Sequence, residues 1–440
     1  MNWLDTQINR YLPCTYERGG KVLVSLGVLS ALVYVFTSIF YRGEFHRFPG
    51  NLMTLTFLIS AWQQRQQLKS DLIIRLLVLS VMLPLLLFAI NTLIDFESAY
   101  KYKSLSDLSK LFFFLPLAWW LGGSKKAARN MLILTLLGFL MAILFDPALA
   151  QSIHNLWGGS RVDFHIHNAQ HGALFFGLVF IISLIGYHQY RNESASPWET
   201  VFLFSACLVG LIGLVGTQTR AAYVGIFVCG FIAAVQAFRQ RKCPTEKSRP
   251  IIRILAVSFI LIALLAGFLK QVQDGRIARA QSDIYLLLEN GAEQMPLTST
   301  GIRVHSWLEA WEWIGKRPLT GWGRKARIDV IQMSDRFPDS IKATFGHLHN
   351  GYLEILIGTG FLGLIFITAL MIALLKRIKS VSENHFYPIA FYGTVFFLVL
   401  NLFESFFFYW SGQFALSVIM AAGYSQYLAK QLTSLVETND

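Results

Sequence analysis

Long apolar runs separated by short polar stretches dominate the chain. They fall near residues 21–41, 50–64, 72–94, 108–122, 129–147, 170–189, 198–216, 219–238, 251–270, 351–375, 386–407 and 411–429. A run of about 20 mainly apolar residues can cross a bilayer as a helix, because a helix satisfies its backbone N–H and C=O groups internally. The pattern predicts an all-α, polytopic helical membrane protein with about twelve spans. The alternating segments of a membrane β-barrel are absent. Residues 271–350 break the rhythm by mixing polar and apolar positions, with helical patterning at Ile284–Leu288 and Val304–Ile314. Trp307 and Trp311, four apart, predict a helix lying along the membrane surface with its aromatic face toward lipid. Pro318, Gly321 and Gly323 end that helix. The predicted organisation is nine spans within 1–270, a long extra-membrane loop over 271–350, and three spans with a tail over 351–440.

Composition agrees with this reading. The chain is 54% hydrophobic and 15% charged, with mean hydropathy +0.48, which is too apolar for a soluble domain of 440 residues. A net charge of +12 raises the question of nucleic acid, but the basic residues gather in short segments between apolar runs. Arg65 and Lys69, then Lys125, Lys126 and Arg129, then Arg239, Arg241 and Lys242, then Lys376, Arg377 and Lys379 share one side, which the positive-inside rule makes cytoplasmic. An even number of spans places both termini there and the long loop on the opposite, periplasmic side. No removable signal is evident near the N-terminus. Cys207 and Cys229 sit in apolar runs, Cys14 and Cys243 in cytoplasmic segments, so no disulfide framework follows.

The candidate chemistry gathers at the periplasmic ends of the spans. Thr217–Tyr223 joins two apolar runs almost without a loop and places Arg220 at the membrane face, where a lone arginine could equally snorkel. Arg303 follows Ser299 at the head of the loop helix. A planar guanidinium suits bidentate contact with phosphate oxygens, so two arginines on one face point to a phosphate-bearing ligand, with Arg161 a third candidate. His347 and His349 precede a long apolar run. Two apart, they cannot share a helical face, and His349, with Asn350 as helix cap, is the better general base. His167 and His171 are four apart and could share a metal, but no HExxH glutamate accompanies them, and a polar rim facing substrate is the preferred reading. Gly358, Gly360 and Gly363 spell GxGxxG without a preceding strand, so close helix packing explains them better than nucleotide binding. There is no P-loop.

Taken together, the Thr219–Arg220 turn, the Ser299–Arg303 stretch with Trp307, Pro318 and Gly321 behind it, and the His349-Asn350-x-Tyr352-Leu353 run leading to Gly358 and Gly360 resemble the O-antigen ligase and polymerase superfamily. The similarity covers roughly residues 161–411 and is strongest to the O-antigen ligases. It implies a glycosyltransferase of the bacterial inner membrane, needing no cofactor, metal or nucleotide. The enzyme would move a glycan from an undecaprenyl diphosphate donor onto lipid A-core oligosaccharide at the periplasmic face, in lipopolysaccharide biosynthesis. Carried over by motif, Arg220 and Arg303 would bind the diphosphate and His349 would be the base or its close support, while Arg161 stays a weaker third candidate for the diphosphate. Glu404, in Asn401–Ser405, occupies a plausible acidic position, and His347, Asn350 and Tyr352 are further site candidates. O-antigen polymerase and protein O-oligosaccharyltransferase, which share the donor, are the enzyme alternatives, and a lipid-glycan transporter is a more distant one.

Overall fold

The computed structural model describes residues 18–40, 47–190, 196–240, 285–289, 291–382 and 384–437. Among these the architecture is entirely helical. The helices used below are α1 (Lys21–Phe40), α2 (Arg47–Gln63), α3 (Leu72–Ile94), α4 (Phe96–Tyr102), α5 (Phe114–Trp120), α6 (Lys125–Leu144), α7 (Leu149–Trp157), α8 (Ala169–Tyr190), α9 (Pro197–Gly216) and α10 (Arg220–Gln240). They continue with α11 (Ser299–Lys316), α12 (Ala326–Gln332), α13 (Gly351–Lys379), α14 (Tyr387–Leu400) and α15 (Trp410–Glu437). Seven of them, α1, α3, α6, α8, α9, α10 and α13, are long and apolar enough to cross a membrane, which makes this a multi-pass helical protein. The run at 251–270, Cys14, Cys243 and the loop up to Ile284 lie outside the described residues.

Where the helices differ from expectation, burial explains it. The run at 108–122 is not one helix but a 3-10 turn, Ser109–Phe112, followed by the seven-residue α5. Phe114, Leu117 and Trp119 in α5 are fully enclosed by protein. An apolar run of this kind cannot be told from a lipid-facing span by periodicity alone. The 28-residue α15 is the converse case: it lies outside the seven, and its Ser417, Ser425 and Gln426 are buried within the protein. The bundle is layered accordingly. The apolar window of α8 is 83% buried and that of α3 only 22%, so α8 runs through the centre while α3 turns most of its surface outward.

α13 carries the largest backbone irregularity. Gly360 has φ +61° and ψ −162°, which interrupts the helix. A Cβ there would meet the Leu319 carbonyl oxygen at 2.2 Å, and one on Gly321 (φ +64°) would meet the Gly360 nitrogen at 2.7 Å. The segment from Pro318 to Gly323 docks into this break. Trp322 N donates to Ile357 O (2.7 Å), Gly323 N to Gly358 O (3.1 Å), and Phe361 N to Pro318 O (2.8 Å), so the groups freed by the break are satisfied by the loop. The glycines were expected to serve helix–helix packing. Gly360 and Gly358 instead admit a loop backbone at a depth where a broken span is tolerated only because protein re-satisfies it.

α11 starts earlier than its pattern indicated, with Thr298 accepting a hydrogen bond from Gly301 N at the N-cap. Trp307 and Trp311 do not form one lipid-facing surface. Trp311 is exposed, but Trp307 turns inward and donates from its indole nitrogen to Leu348 O at 2.9 Å. Between this bond and the docked loop, the 299–323 segment holds the His347–His349 stretch in place.

Candidate active site

The N-terminal ends of α8, α10, α11, α13 and α15 and the C-terminal end of α14 meet on one side of the bundle. The contacts joining them are Thr219 Oγ1 to Ala169 O (3.1 Å) and Gly351 N to Asn401 O (2.8 Å) and Glu404 O (3.2 Å). At their meeting point Glu404, 1% exposed, is hydrogen-bonded to His349 and within ion-pair distance of His347. His349 Nδ1 lies 3.2 Å from Oε2 and His347 Nε2 lies 3.5 Å from Oε1. Ser405 N donates to Oε1 at 3.0 Å.

Both histidines thus reach one carboxylate, which their spacing would have prevented only had the helix begun before them. The helix begins only at Gly351, after them, and His349 adopts a left-handed backbone (φ +49°) that turns the chain so that the rings pack 3.9 Å apart. A non-glycine residue in that region is strained, and such strain persists only where the surroundings impose it. The surroundings are identifiable. Asn350 caps α13 by accepting from Tyr352 N (3.0 Å) and Leu353 N (3.1 Å), as expected. Leu348 N donates to Glu354 Oε1 (3.2 Å), which also accepts from Ser405 Oγ (2.7 Å), while Arg327 pairs with Glu354 Oε2 at 2.8 Å. Glu354 is fully buried, so a paired charge braces both flanks of the site at once. Tyr352 turns away and donates to Leu398 O at 2.8 Å.

The arginines divide. Arg303 is near Glu404 but forms no direct ion pair with it. With the Gln170 amide in the orientation that satisfies both neighbours, Arg303 Nη2 donates to the Gln170 oxygen (3.0 Å), and the Gln170 nitrogen donates to Glu404 Oε2 (3.0 Å) and Phe403 O (3.1 Å). Arg303 Nε is buried without a hydrogen-bond partner. Burial lowers the Arg303 pKa from its ordinary value, Glu404 counteracts it and Arg220 adds to it, so the two guanidiniums feel each other's charge. Arg161 donates to Thr217 O (3.0 Å) and Thr219 Oγ1 (3.4 Å), which ties it to the turn that presents Arg220.

The outer histidine cluster adjoins the same place. His171 Nδ1 meets Ser411 Oγ at 2.7 Å, and its ring packs on His167 (4.4 Å between centroids) and Tyr409 (5.0 Å). Tyr409 in turn lies 6.0 Å from His347, so the rim is continuous with the Glu404 triad. Burial, reinforced by Glu404 and Glu354, raises the Tyr409 hydroxyl to about 12, and it stays protonated.

Burial alone would raise the Glu404 carboxyl, but the His349 hydrogen bond and the charges of His349 and His347 outweigh it and hold it at about 2. His347 is shifted the other way, below 6.5, by burial and by His349, with Glu404 opposing. The ligating atoms of His347, His349 and Glu404 lie within 4.8 Å of one another, so these three could hold a metal ion. Both Glu404 oxygens already have donors, however, and Arg303 brings positive charge to the same carboxylate through Gln170. That favours an ion-pair triad. The set can accept a proton beside a carboxylate that stabilises the resulting cation, next to a guanidinium whose Nε has no protein hydrogen-bond partner.

Sequence reasoning named Arg220, Arg303, His347, His349 and Glu404, which the structure brings together, and missed Gln170, Glu354 and Arg327. Glu354 was visible as an acid one turn inside an apolar run, a position that is costly without a partner. A search of curated proteins returned no match. The family model described as O-antigen ligase matches residues 205–368, a segment that contains Arg220, Arg303, His347 and His349. The match spans a little over a third of the chain, so over that segment the protein is similar to the O-antigen ligase family.

Proposed function

We propose that the protein is an O-antigen ligase of the bacterial inner membrane, transferring an undecaprenyl diphosphate-linked glycan to lipid A-core oligosaccharide at the periplasmic face. The observation that carries this reading is the pairing of His349 with buried Glu404, two residues from His347 and beside Arg303, whose Nε has no protein partner. In this reading the 271–350 loop lies on the periplasmic side, as the basic segments imply. O-antigen polymerase is the nearest alternative, since the family supports ligase or polymerase chemistry in general.

The steps follow from the residues. Arg303 and Arg220 hold the donor diphosphate. His349 takes the proton of an acceptor sugar hydroxyl, and the oxygen attacks the anomeric carbon as its bond to the diphosphate breaks. The electron pair leaves with the diphosphate, whose growing charge the two guanidiniums stabilise. Helix N-termini, which converge there, add partial positive charge. Glu404 stabilises the imidazolium and fixes the ring. Attack opposite the leaving group inverts the anomeric centre. Arg161 supports Arg220 from behind the turn, and Asn350 and Tyr352 fix the helix that carries the histidines.

The test offers purified protein in nanodiscs the lipid-linked glycan and lipid A-core, with a chelator present and His349→Ala alongside. Transfer to lipid A-core that survives the chelator and disappears in the variant is expected. Growth of polymer on a second lipid-linked glycan instead would move the assignment to polymerase, and transfer abolished by the chelator would return the triad to a metal role.

A further inference from the structure

Between the buried guanidinium of Arg303 and the buried carboxylate of Glu404 stands one neutral amide. Opposite charges this close in a buried setting attract strongly, and the Gln170 side chain bridges them once its amide is oriented to satisfy both neighbours. The polarity of the amide matches both sides, with its oxygen toward the cation and its nitrogen toward the carboxylate and Phe403 O. Gln170 is itself placed firmly. It is the second residue of α8, and Asn168 Oδ1 accepts from Gln170 N (2.8 Å) and His171 N (3.1 Å) to cap that helix. Its location next to the outer histidine cluster gave no hint of this role.

We infer that Gln170 is a positioning residue that keeps Arg303 and Glu404 from closing into a direct salt bridge. The inference rests on the proposed transferase reading. If the two ions paired directly, Arg303 would turn toward the carboxylate the donors it otherwise offers to an anionic ligand, including Nε. Glu404 would give up to the guanidinium the oxygen that now faces His349. One amide therefore keeps the diphosphate-binding half of the site and the proton-accepting half separately available, while still linking them through hydrogen bonds.

The test is steady-state transfer by Gln170→Met, which keeps the size of the side chain and removes its three hydrogen bonds, with Gln170→Glu as the second variant should the first fold poorly. A carboxylate at this position would itself grip Arg303, so both variants are expected to act alike. The expected result is a kcat lower by about 10- to 100-fold, the scale of a misplaced catalytic group. The KM for the lipid diphosphate donor should rise several-fold while the acceptor KM stays unchanged. Combined with Glu404→Gln, Gln170→Met should add little further loss, because both act through the same pair. Wild-type kinetics in folded Gln170→Met, equal rises in both KM values, or losses that simply multiply with Glu404→Gln would each overturn the inference. Wild-type protein inactive on every lipid-linked donor would sink the transferase reading itself, and this inference with it.

Discussion

Glu354 and Glu404 are two buried glutamates within reach of the same short loops, and they have been put to opposite uses. Glu354 faces Arg327, a cation at every accessible pH, and spends its remaining hydrogen-bonding capacity on Ser405 Oγ and Leu348 N. Burial works against the Arg327 charge, but Glu354 more than compensates and raises the guanidinium above its ordinary value. Glu404 faces two rings that can gain or lose a proton, and its bridge to an arginine passes through an amide. A buried carboxylate with a permanent counter-ion is a brace, and one with titratable partners is poised for chemistry. The comparison can be broken by asking whether the two respond differently to mutation and to pH.

The largest effect belongs to the chemical side. His349→Ala is expected to lower kcat by about 100- to 10,000-fold per folded molecule, the usual contribution of a positioned general base. Arg220→Ala and Arg303→Ala should each cost about 100-fold or more in donor turnover, the scale of losing one preorganised charge contact. On the structural side, Glu354→Gln strands the Arg327 charge and should destabilise the fold by about 3–5 kcal/mol, measured by unfolding in detergent. Glu404→Gln should destabilise less, because histidines can shed their protons, yet reduce activity more per folded molecule. A Glu354→Gln protein as stable as wild type would dissolve the distinction.

A smaller effect concerns pH and stability. His347 has a folded pKa below its ordinary 6.5, so the folded state binds fewer protons than the unfolded chain between those two values. Stability present above pH 6.5 is therefore lost as the pH falls through that value. Glu404, depressed from 4.5 to about 2, contributes stability present above pH 4.5 that is lost as the pH falls toward 2. The melting temperature should thus decline on the acid side in two stages. His347→Gln should flatten the first stage, and a decline unchanged in that variant would reassign it. The smallest effect is Tyr352→Phe, which removes the bond to Leu398 O and should cost about 0.5–1.5 kcal/mol in the same unfolding measurement.

What could be read from sequence follows the same division between lipid and protein surroundings. Spans such as α1, α3 and α9 declare themselves because lipid demands long apolar helices. The 108–122 segment misled because a buried turn and a short helix look the same when protein is the solvent. Arg220, Arg303 and His349 were legible because charged groups at span ends are expensive ornaments. The joint reach of His347 and His349 was not, since it depends on one left-handed residue before the helix start. Gln170 was invisible for a different reason. An amide carries no charge to flag it, and its importance exists only once Arg303 and Glu404, far apart in sequence, arrive on either side.

The account's central claim is that the Glu404 neighbourhood performs the proton transfer and that His349 is the group that accepts it. The most direct measurement is the single-turnover rate of glycan transfer by His349→Ala and Glu404→Gln at matched folded fraction. Transfer lost in His349→Ala, and reduced but measurable in Glu404→Gln, is the predicted result. Transfer retained in His349→Ala and abolished in Glu404→Gln would contradict it and make the carboxylate the base.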